Sequence, residues 1–272
     1  MNSVKASIII PLYNGMKYVK KLIVMLENNY KNLSNGHYME VIFVKDSTEE
    51  FDEALFTNQT TTMPITLLLN DKNYGIQYSR VKGIKHAVGD YIHMLDQDDE
   101  ISKYFIENAL NKIGSADVLV CNGKKQYVGY NKILYKYPFM QWTVKYKWFY
   151  TKFSCRILSP GHCLIKKSSI PSIWMEYILV NSGADDAFLW LLMLSNGCKF
   201  KTDYKICYIH HHTGENLSDD NEKMKLSVLE MIDICKKTNC IDKRSIKRIE
   251  RNLQKEKKSI LVKIIENINK EM

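Results

Sequence analysis

Tyr91-Ile92-His93-Met94-Leu95-Asp96-Gln97-Asp98-Asp99 decides how this chain is read. A short apolar run of strand length ends in three carboxylates within four residues. Carboxylates this close repel one another, so the cluster is unfavourable at neutral pH unless a cation meets it. Hard divalent ions such as Mg2+ or Mn2+ suit carboxylate oxygens, and Mg2+ is typically held by one or two carboxylates plus phosphate oxygens. Position adds to composition, because open α/β sheets bind ligands outside the carboxyl ends of their strands. The plainer alternative is a solvated acidic turn ahead of a helix beginning near Ser102.

Working outward, residues 6–12 form a continuous apolar run and predict a buried strand. Apolar residues at 18, 19, 22, 23, 25 and 26 predict a helix over Lys17–Asn29. Val41–Val44 and Ile65–Leu69 predict two more strands, with helices over Thr48–Thr57 and Ile76–Val88, and Tyr91–Leu95 makes a fourth strand. Apolar strands alternating with helices predict a parallel sheet covered on both faces. The second half is less regular: a helix over Phe105–Ile113, strands at Asp117–Cys121, Gly161–Lys166 and Cys198–Ile209, and a helix over Asp185–Asn196. Residues 125–153 carry 11 aromatics. A run that dense most simply builds a hairpin core; stacking on a ligand, with Trp142 and Trp148 the best-suited rings, and contact with a membrane interface are the alternatives.

From Asp219 the chain turns polar and helical, with an apolar stripe at Ile246, Ile249, Leu253, Ile260, Ile264 and Ile268. Residues 221–272 hold 14 Lys/Arg and 8 Asp/Glu, and so supply six of the nine net positive charges. The excess is therefore a basic C-terminal surface, and a nucleic-acid partner is not expected. That surface is either a solvated face whose stripe packs on the main domain or a partner helix, or a contact with anionic lipid. The division expected is 1–218 for a domain of two ligand-binding halves, 1–100 and 101–218, and 219–272 for a basic amphipathic tail. No signal peptide is read at the N-terminus, and no apolar run approaches the roughly 20 residues of a membrane span. Seven cysteines without a Cys-x-x-Cys pair predict reduced thiols in a cytoplasmic protein.

Further groups converge on the acidic cluster. Pro11-Leu12-Tyr13-Asn14-Gly15 closes the first strand and Lys45-Asp46-Ser47-Thr48 the second, while Asn73-Tyr74-Gly75 and Ser79-Arg80 follow the third. All fall at one carboxyl edge. A nucleotide there would meet an aromatic (Tyr13), an acceptor for a base N–H (Asp46), an amide (Asn73) and a cation for phosphate (Arg80). The Gly-x-Gly-x-x-Gly and P-loop fingerprints are absent, against NAD binding and NTP hydrolysis.

In the order and spacing of Ser7-Ile8-Ile9-Ile10-Pro11-Leu12-Tyr13-Asn14, Asn73-Tyr74-Gly75, Ser79-Arg80, Gly83 to Ile92 and Leu95 to Asp99, the chain resembles the family 2 glycosyltransferases of GT-A fold, an α/β architecture with a mostly parallel, Rossmann-like sheet. Gly183-Ala184-Asp185-Asp186 resembles the family's Glu-Asp helix start. The resemblance implies a metal-dependent, inverting transfer of one sugar from a nucleotide-sugar donor, usually a UDP-sugar. It implies a glycan, lipid-linked or protein acceptor, and cell-surface polysaccharide synthesis as the setting. It makes Asp186 the catalytic base, with Asp185 beside it toward the acceptor. Asp98 becomes the metal ligand, joined by His212, for Mn2+ or Mg2+. Pro11, Tyr13, Asp46, Asn73, Arg80, Asp96 and Gln97 become the donor-binding set. Lys45 and the compressed Asp46-Ser47-Thr48 depart from the family's Asp-Asp-Gly-Ser, Asp185 replaces its Glu, and Leu192 stands where many members have Arg. The Gln-x-x-Arg-Trp motif of processive members is missing, which implies one sugar per encounter. Localisation at the inner face of the membrane, and dimerisation or lipid contact through the C-terminal helices, are further expectations. The rival readings are a sugar nucleotidyltransferase and a non-catalytic partner subunit of transferase fold.

Overall fold

In a computed structural model, residues 4–48, 52–57, 61–153, 155–212 and 220–254 are described. The first strand, β1 (Val4–Leu12), is followed by α1 (Met16–Lys31), β2 (His37–Lys45), α2 (Ala54–Thr57), β3 (Ile65–Leu69), α3 (Ile76–His86) and β4 (Tyr91–Met94). Of the helix expected over Thr48–Thr57, the described part is the single turn α2; residues 49–51 lie outside the described residues. β1 pairs in parallel with β2 on one side and β4 on the other, and β2 pairs in parallel with β3.

Alternate side chains of β1 enter opposite cores, as the two-residue strand period requires. Ile9 packs in one core with Val44, Val81 and Ile84. Ile8, Ile10 and Leu12 pack in the other with Val19, Leu22, Ile23 and Leu26 of α1. α3 lies so close to the sheet that a Cβ at Gly83 would stand 2.4 Å from Ile9 Cγ2. The parallel half-sheet covered by helices on both faces is thus as expected.

Beyond β4 come β5 (Glu100–Ile101), α4 (Phe105–Ile113), β6 (Val118–Tyr127), β7 (Tyr130–Ile133), α5 (Pro138–Trp142), α6 (Lys147–Lys152), β8 (Cys163–Lys166), α7 (Ser172–Glu176), α8 (Asp185–Ser195), β9 (Phe200–His211) and α9 (Asn221–Thr238). The sheet runs β3-β2-β1-β4-β8-β6-β9-β5, with β7 on β6. β8 is antiparallel to both β4 and β6, so the sheet is mixed. α8 carries buried residues on every side, Phe188 to Met193 in unbroken succession, because it is enclosed between the sheet and α9.

The aromatic run does not build a hairpin core. Tyr135 and Tyr150 are buried, whereas Tyr137, Phe139, Trp142, Tyr146, Trp148 and Phe153 are exposed, most of them on α5, α6 and their junction. After α9 the chain is helical again from 243 to 254. Ile246 is buried there, and Ile249 and Leu253 pack against the α8 core. Ile260, Ile264 and Ile268 of the expected stripe lie outside the described residues.

Candidate active site

Strand order reverses at β1, whose neighbours β2 and β4 lead away in opposite directions. Such a switch point leaves a crevice beyond the carboxyl ends of the strands. Here those ends are joined by a side chain: Gln97 Oε1 accepts from the Tyr13 N–H at 3.0 Å, and Gln97 Nε2 donates to the Tyr13 carbonyl at 3.0 Å. Gly15 makes room for that clasp, since a Cβ there would lie 2.1 Å from Gln97 Oε1. Tyr13 projects its ring to solvent, half exposed, two residues after Pro11 on β1. Gln97, placed by sequence among the donor contacts, is thus engaged in holding the β1 loop.

Asp46 is buried at the end of β2, with Oδ1 accepting from Asn70 Nδ2 and from the Tyr74 N–H, each at 2.8 Å. It thereby orders the Asn73-Tyr74-Gly75 loop, in which Asn73 Oδ1 accepts from the Gly75 N–H at 2.9 Å. Oδ2 of Asp46 takes no hydrogen bond from the described residues.

The centre of the site is Arg80, on α3 and 2% exposed. Its Nη2 donates to Asp96 Oδ1 at 2.6 Å, and its Nη1 to Asp185 Oδ2 at 2.7 Å and Asp186 Oδ1 at 2.6 Å. Burial works against the guanidinium charge, but Asp186, Asp96 and Asp185 together hold it protonated more firmly than in water. One cation faces three carboxylates, so excess negative charge remains. Burial, with Asp185 and Asp96 adding to it, raises the Asp186 carboxyl well above the ordinary carboxylate range, against the opposing pull of Arg80. Arg80, which the resemblance places in the donor-binding set, thus bonds Asp96, Asp185 and Asp186.

The start of α8 is fixed from three sides. Trp174 Nε1 donates to the Asp185 carbonyl at 2.9 Å. Ser227 of α9 accepts from the Ala184 N–H at 2.9 Å. Gln77, one turn before Arg80, bonds the carbonyls of Trp174 and Tyr177 and the N–H of Leu179. These positioning residues carry no sequence signal, because nothing in a linear pattern places Ser227 against residue 184.

At the end of β4, each carboxylate has a different fate. Asp96 is held by Arg80 and by the Ser159 hydroxyl at 3.2 Å. Asp99 is buried, bonded by the Tyr208 hydroxyl, by the His211 N–H at 3.2 Å, and by His210 Nδ1 at 3.1 Å. Burial disfavours the His210 cation, yet the bond and charge of Asp99 raise its pKa. Among the described residues, no side chain hydrogen-bonds Asp98. Burial and the nearby Asp99 and Asp96 push its carboxyl up to about 6, which His210 partly offsets.

The donor set fits a hard divalent ion. The exposed edge of the cluster offers one carboxylate that a cation would discharge. Among the described residues, no three His, Cys, Asp or Glu side chains form a ready-made cage, as suits an ion completed by phosphate oxygens. His212 lies tilted against Tyr127 with ring centroids 5.0 Å apart and gives its backbone N–H to the Gln126 carbonyl, and His210 stands against Asp99. Tyr208 and His210 lie on one face of β9 by the strand period, a signal that their spacing carried. Trp142 and Trp148 sit on α5 and α6 and take no part in the Arg80 cluster.

The glycosyl transferase family 2 profile matches residues 7–174, and the chain belongs to that family. Among its relatives, the minor teichoic acid biosynthesis protein GgaB of Bacillus subtilis is 31% identical over 106 residues, 39% of this chain and 11% of that protein. The amylovoran biosynthesis glycosyltransferase AmsB of Erwinia amylovora is 27% identical over 137 residues, 49% of this chain and 42% of that protein. The chain thus spans less than half the length of these relatives. Staphylococcus aureus TarS in complex with UDP superposes with a TM-score of 0.56 at 18% identity, covering 84% of this chain and 65% of that one. The mannosyltransferase PcManGT of Pyrobaculum calidifontis, in complex with GDP-Man and Mn2+, gives a TM-score of 0.63 at 13% identity, covering 92% and 68%. The GT-A fold follows from these superpositions.

Proposed function

We propose that the protein transfers a single sugar, with inversion, from a UDP-sugar to a hydroxyl of a glycan, glycolipid or glycoprotein acceptor, in cell-surface polysaccharide or glycoconjugate synthesis on the cytosolic side of the membrane. The observation that carries this is the shared Arg80, which brings Asp186, from a helix 106 residues away in sequence, onto the carboxylates at the end of β4. In the reaction, the acceptor oxygen bonds to the anomeric carbon while the bond from that carbon to the β-phosphate oxygen breaks. The electron pair leaves with UDP, and the acceptor proton passes to Asp186.

Burial and the neighbouring acids raise the proton affinity of the Asp186 carboxyl, which favours uptake of the acceptor proton. Arg80 keeps Asp186 oriented and limits the excess negative charge. Asp46 offers Oδ2 to a nucleobase N–H, and Tyr13, clasped by Gln97, presents its ring at the same edge. Asp98 would hold the divalent ion, with His210 of β9, or His212 just after that strand, beside it. When bound, that ion supplies Lewis-acid stabilisation of the departing diphosphate.

The test is thermal-shift screening against UDP, GDP, dTDP and CDP and their sugars, with and without Mn2+. A Mn2+-dependent rise with UDP supports the reading. A rise with another nucleotide replaces the donor, and no rise with any of them removes the donor site.

A further inference from the structure

Between Asp117 and Glu176 the chain contains no carboxylate at all. Over the same residues, 118–175, it has 10 lysines and arginines. This span carries the exposed rings. Trp142 lies 4.3 Å from Tyr146 between ring centroids, Tyr146 lies 6.5 Å from Phe149, and Phe149 lies 4.9 Å from Trp148 and 6.0 Å from Phe153. They form one continuous five-ring surface across α5, α6 and the turn after it. Trp142 is 48% exposed, Trp148 41% and Phe153 54%. Lys152 lies over both Trp148, at 4.6 Å, and Phe153, at 5.5 Å, and makes no ion pair among the described residues. Lys147 is the neighbour that does, with Asp242 at 2.8 Å.

We infer that this surface seats the protein on an anionic bilayer. Trp and Tyr favour the boundary between headgroups and acyl chains, and lysine stems reach from that depth to anionic headgroups. Two features separate it from a glycan-binding platform. Phe153 and Phe139, 66% exposed, have no polar edge to offer a sugar hydroxyl. The charge is of one sign over the whole span, complementary to a negative surface. The placement also serves the reaction proposed above. From Phe153 the chain runs six residues to Ser159, whose hydroxyl bonds Asp96, so the Phe153 Cα lies at most about 22 Å from the Cα of a residue that touches the acids. The inference rests on the exposed surface alone, so binding to lipid and catalysis are tested separately.

The test is flotation of the full chain with vesicles of phosphatidylcholine, with and without phosphatidylglycerol, at physiological ionic strength. Binding is expected to vesicles containing phosphatidylglycerol and to be weak on phosphatidylcholine alone. Trp148→Ser with Phe153→Ser should lower the partition coefficient at least tenfold with the melting temperature retained, because both rings are exposed. Lys152→Glu should lower it about fivefold or more, the worth of one lysine near such a surface. Absence of binding overturns the inference. So does binding that the ring substitutions leave intact but a chain ending at Gln254 loses, which would assign it to the basic tail. Loss of vesicle binding in the presence of soluble polyphosphate, with the ring variant binding polyphosphate as weakly as vesicles, would assign the surface to an anionic polymer and overturn the bilayer reading.

Discussion

Arg80 and Asp186, 106 residues apart in sequence, meet at 2.6 Å inside the protein, and the same guanidinium nitrogen also holds Asp185 at 2.7 Å. Two segments with no local connection are joined by a charge that neither could bury alone. Arg80→Met would leave three carboxylates facing one another without a cation. Breaking a buried pair by removing one partner costs about 3–5 kcal/mol. Urea denaturation at pH 7.5 should show a loss of that size, with transfer activity falling as α8 loses its anchor.

Asp186→Asn acts in the opposite direction on stability. It removes one of three like charges around one cation, so the melting temperature should rise or hold. In the role proposed for Asp186, the amide cannot accept the acceptor proton, and kcat should fall by about 10²–10⁴. UDP affinity should be unchanged. Wild-type turnover in this variant would remove Asp186 from the reaction.

The parallel half of the fold was legible because β1, β2 and β4 are buried on both faces and therefore uniformly apolar, and the acids at their ends stood out against that background. The aromatic run misled for a physical reason: ring density does not say which side of a surface the rings face, and α5 and α6 turn most of theirs outward. Arg80, Asp96, Asp185 and Asp186 were all read as site residues, but their pairing was not, because a cation's preference among several acids is settled by tertiary distance. Ser159 and Ser227 were invisible for the same reason, since each touches the site from an element far away in sequence, whereas Tyr208 shares the strand period with His210 and was overlooked.

In the metal-binding role proposed for it, Asp98 would make ion binding sensitive to pH. A ligating carboxylate must be ionised, and burial together with Asp99 and Asp96 puts this one at about 6. Mn2+ affinity should therefore be flat above that pH and fall about tenfold per unit below it. The folded value lies above the ordinary 3.8, so ionised Asp98 opposes folding as pH rises from about 4 to 6. Mn2+ should raise the melting temperature at pH 7.5 and lose that effect near pH 5, and Asp98→Asn should abolish both. Titration calorimetry across pH measures the first, thermal melts the second.

Gly15 and Gln97 form a testable pair. Gly15→Ala places a Cβ 2.1 Å from Gln97 Oε1, which must swing away and release both bonds to Tyr13. Gln97→Ala removes the same bonds directly, at about 1 kcal/mol each. Each variant should raise the donor KM by freeing the Tyr13 loop, with a smaller effect on kcat. The double variant should be little worse than either alone, because the two changes act on one interaction.

His93 and His162 set the acid limit of the fold. Both are fully buried, with Nδ1 donating to the Cys163 carbonyl at 2.9 Å and to the Cys121 carbonyl at 2.7 Å respectively. In each ring Nε2 lacks a hydrogen-bond partner, so a second proton would place an uncompensated charge in the core. Burial lowers both to about 4 from the ordinary 6.5. Below pH 6.5 the unfolded chain binds protons that the folded one refuses, so stability present above 6.5 is lost as pH falls toward 4. A tenfold change in proton affinity is worth about 1.4 kcal/mol, so each ring accounts for ~3 kcal/mol over that window. His162→Gln should lower stability at pH 7.5 through imperfect packing, yet flatten the decline of unfolding free energy between pH 6.5 and 4. An unchanged slope in the variant would show that His162 does not govern that decline.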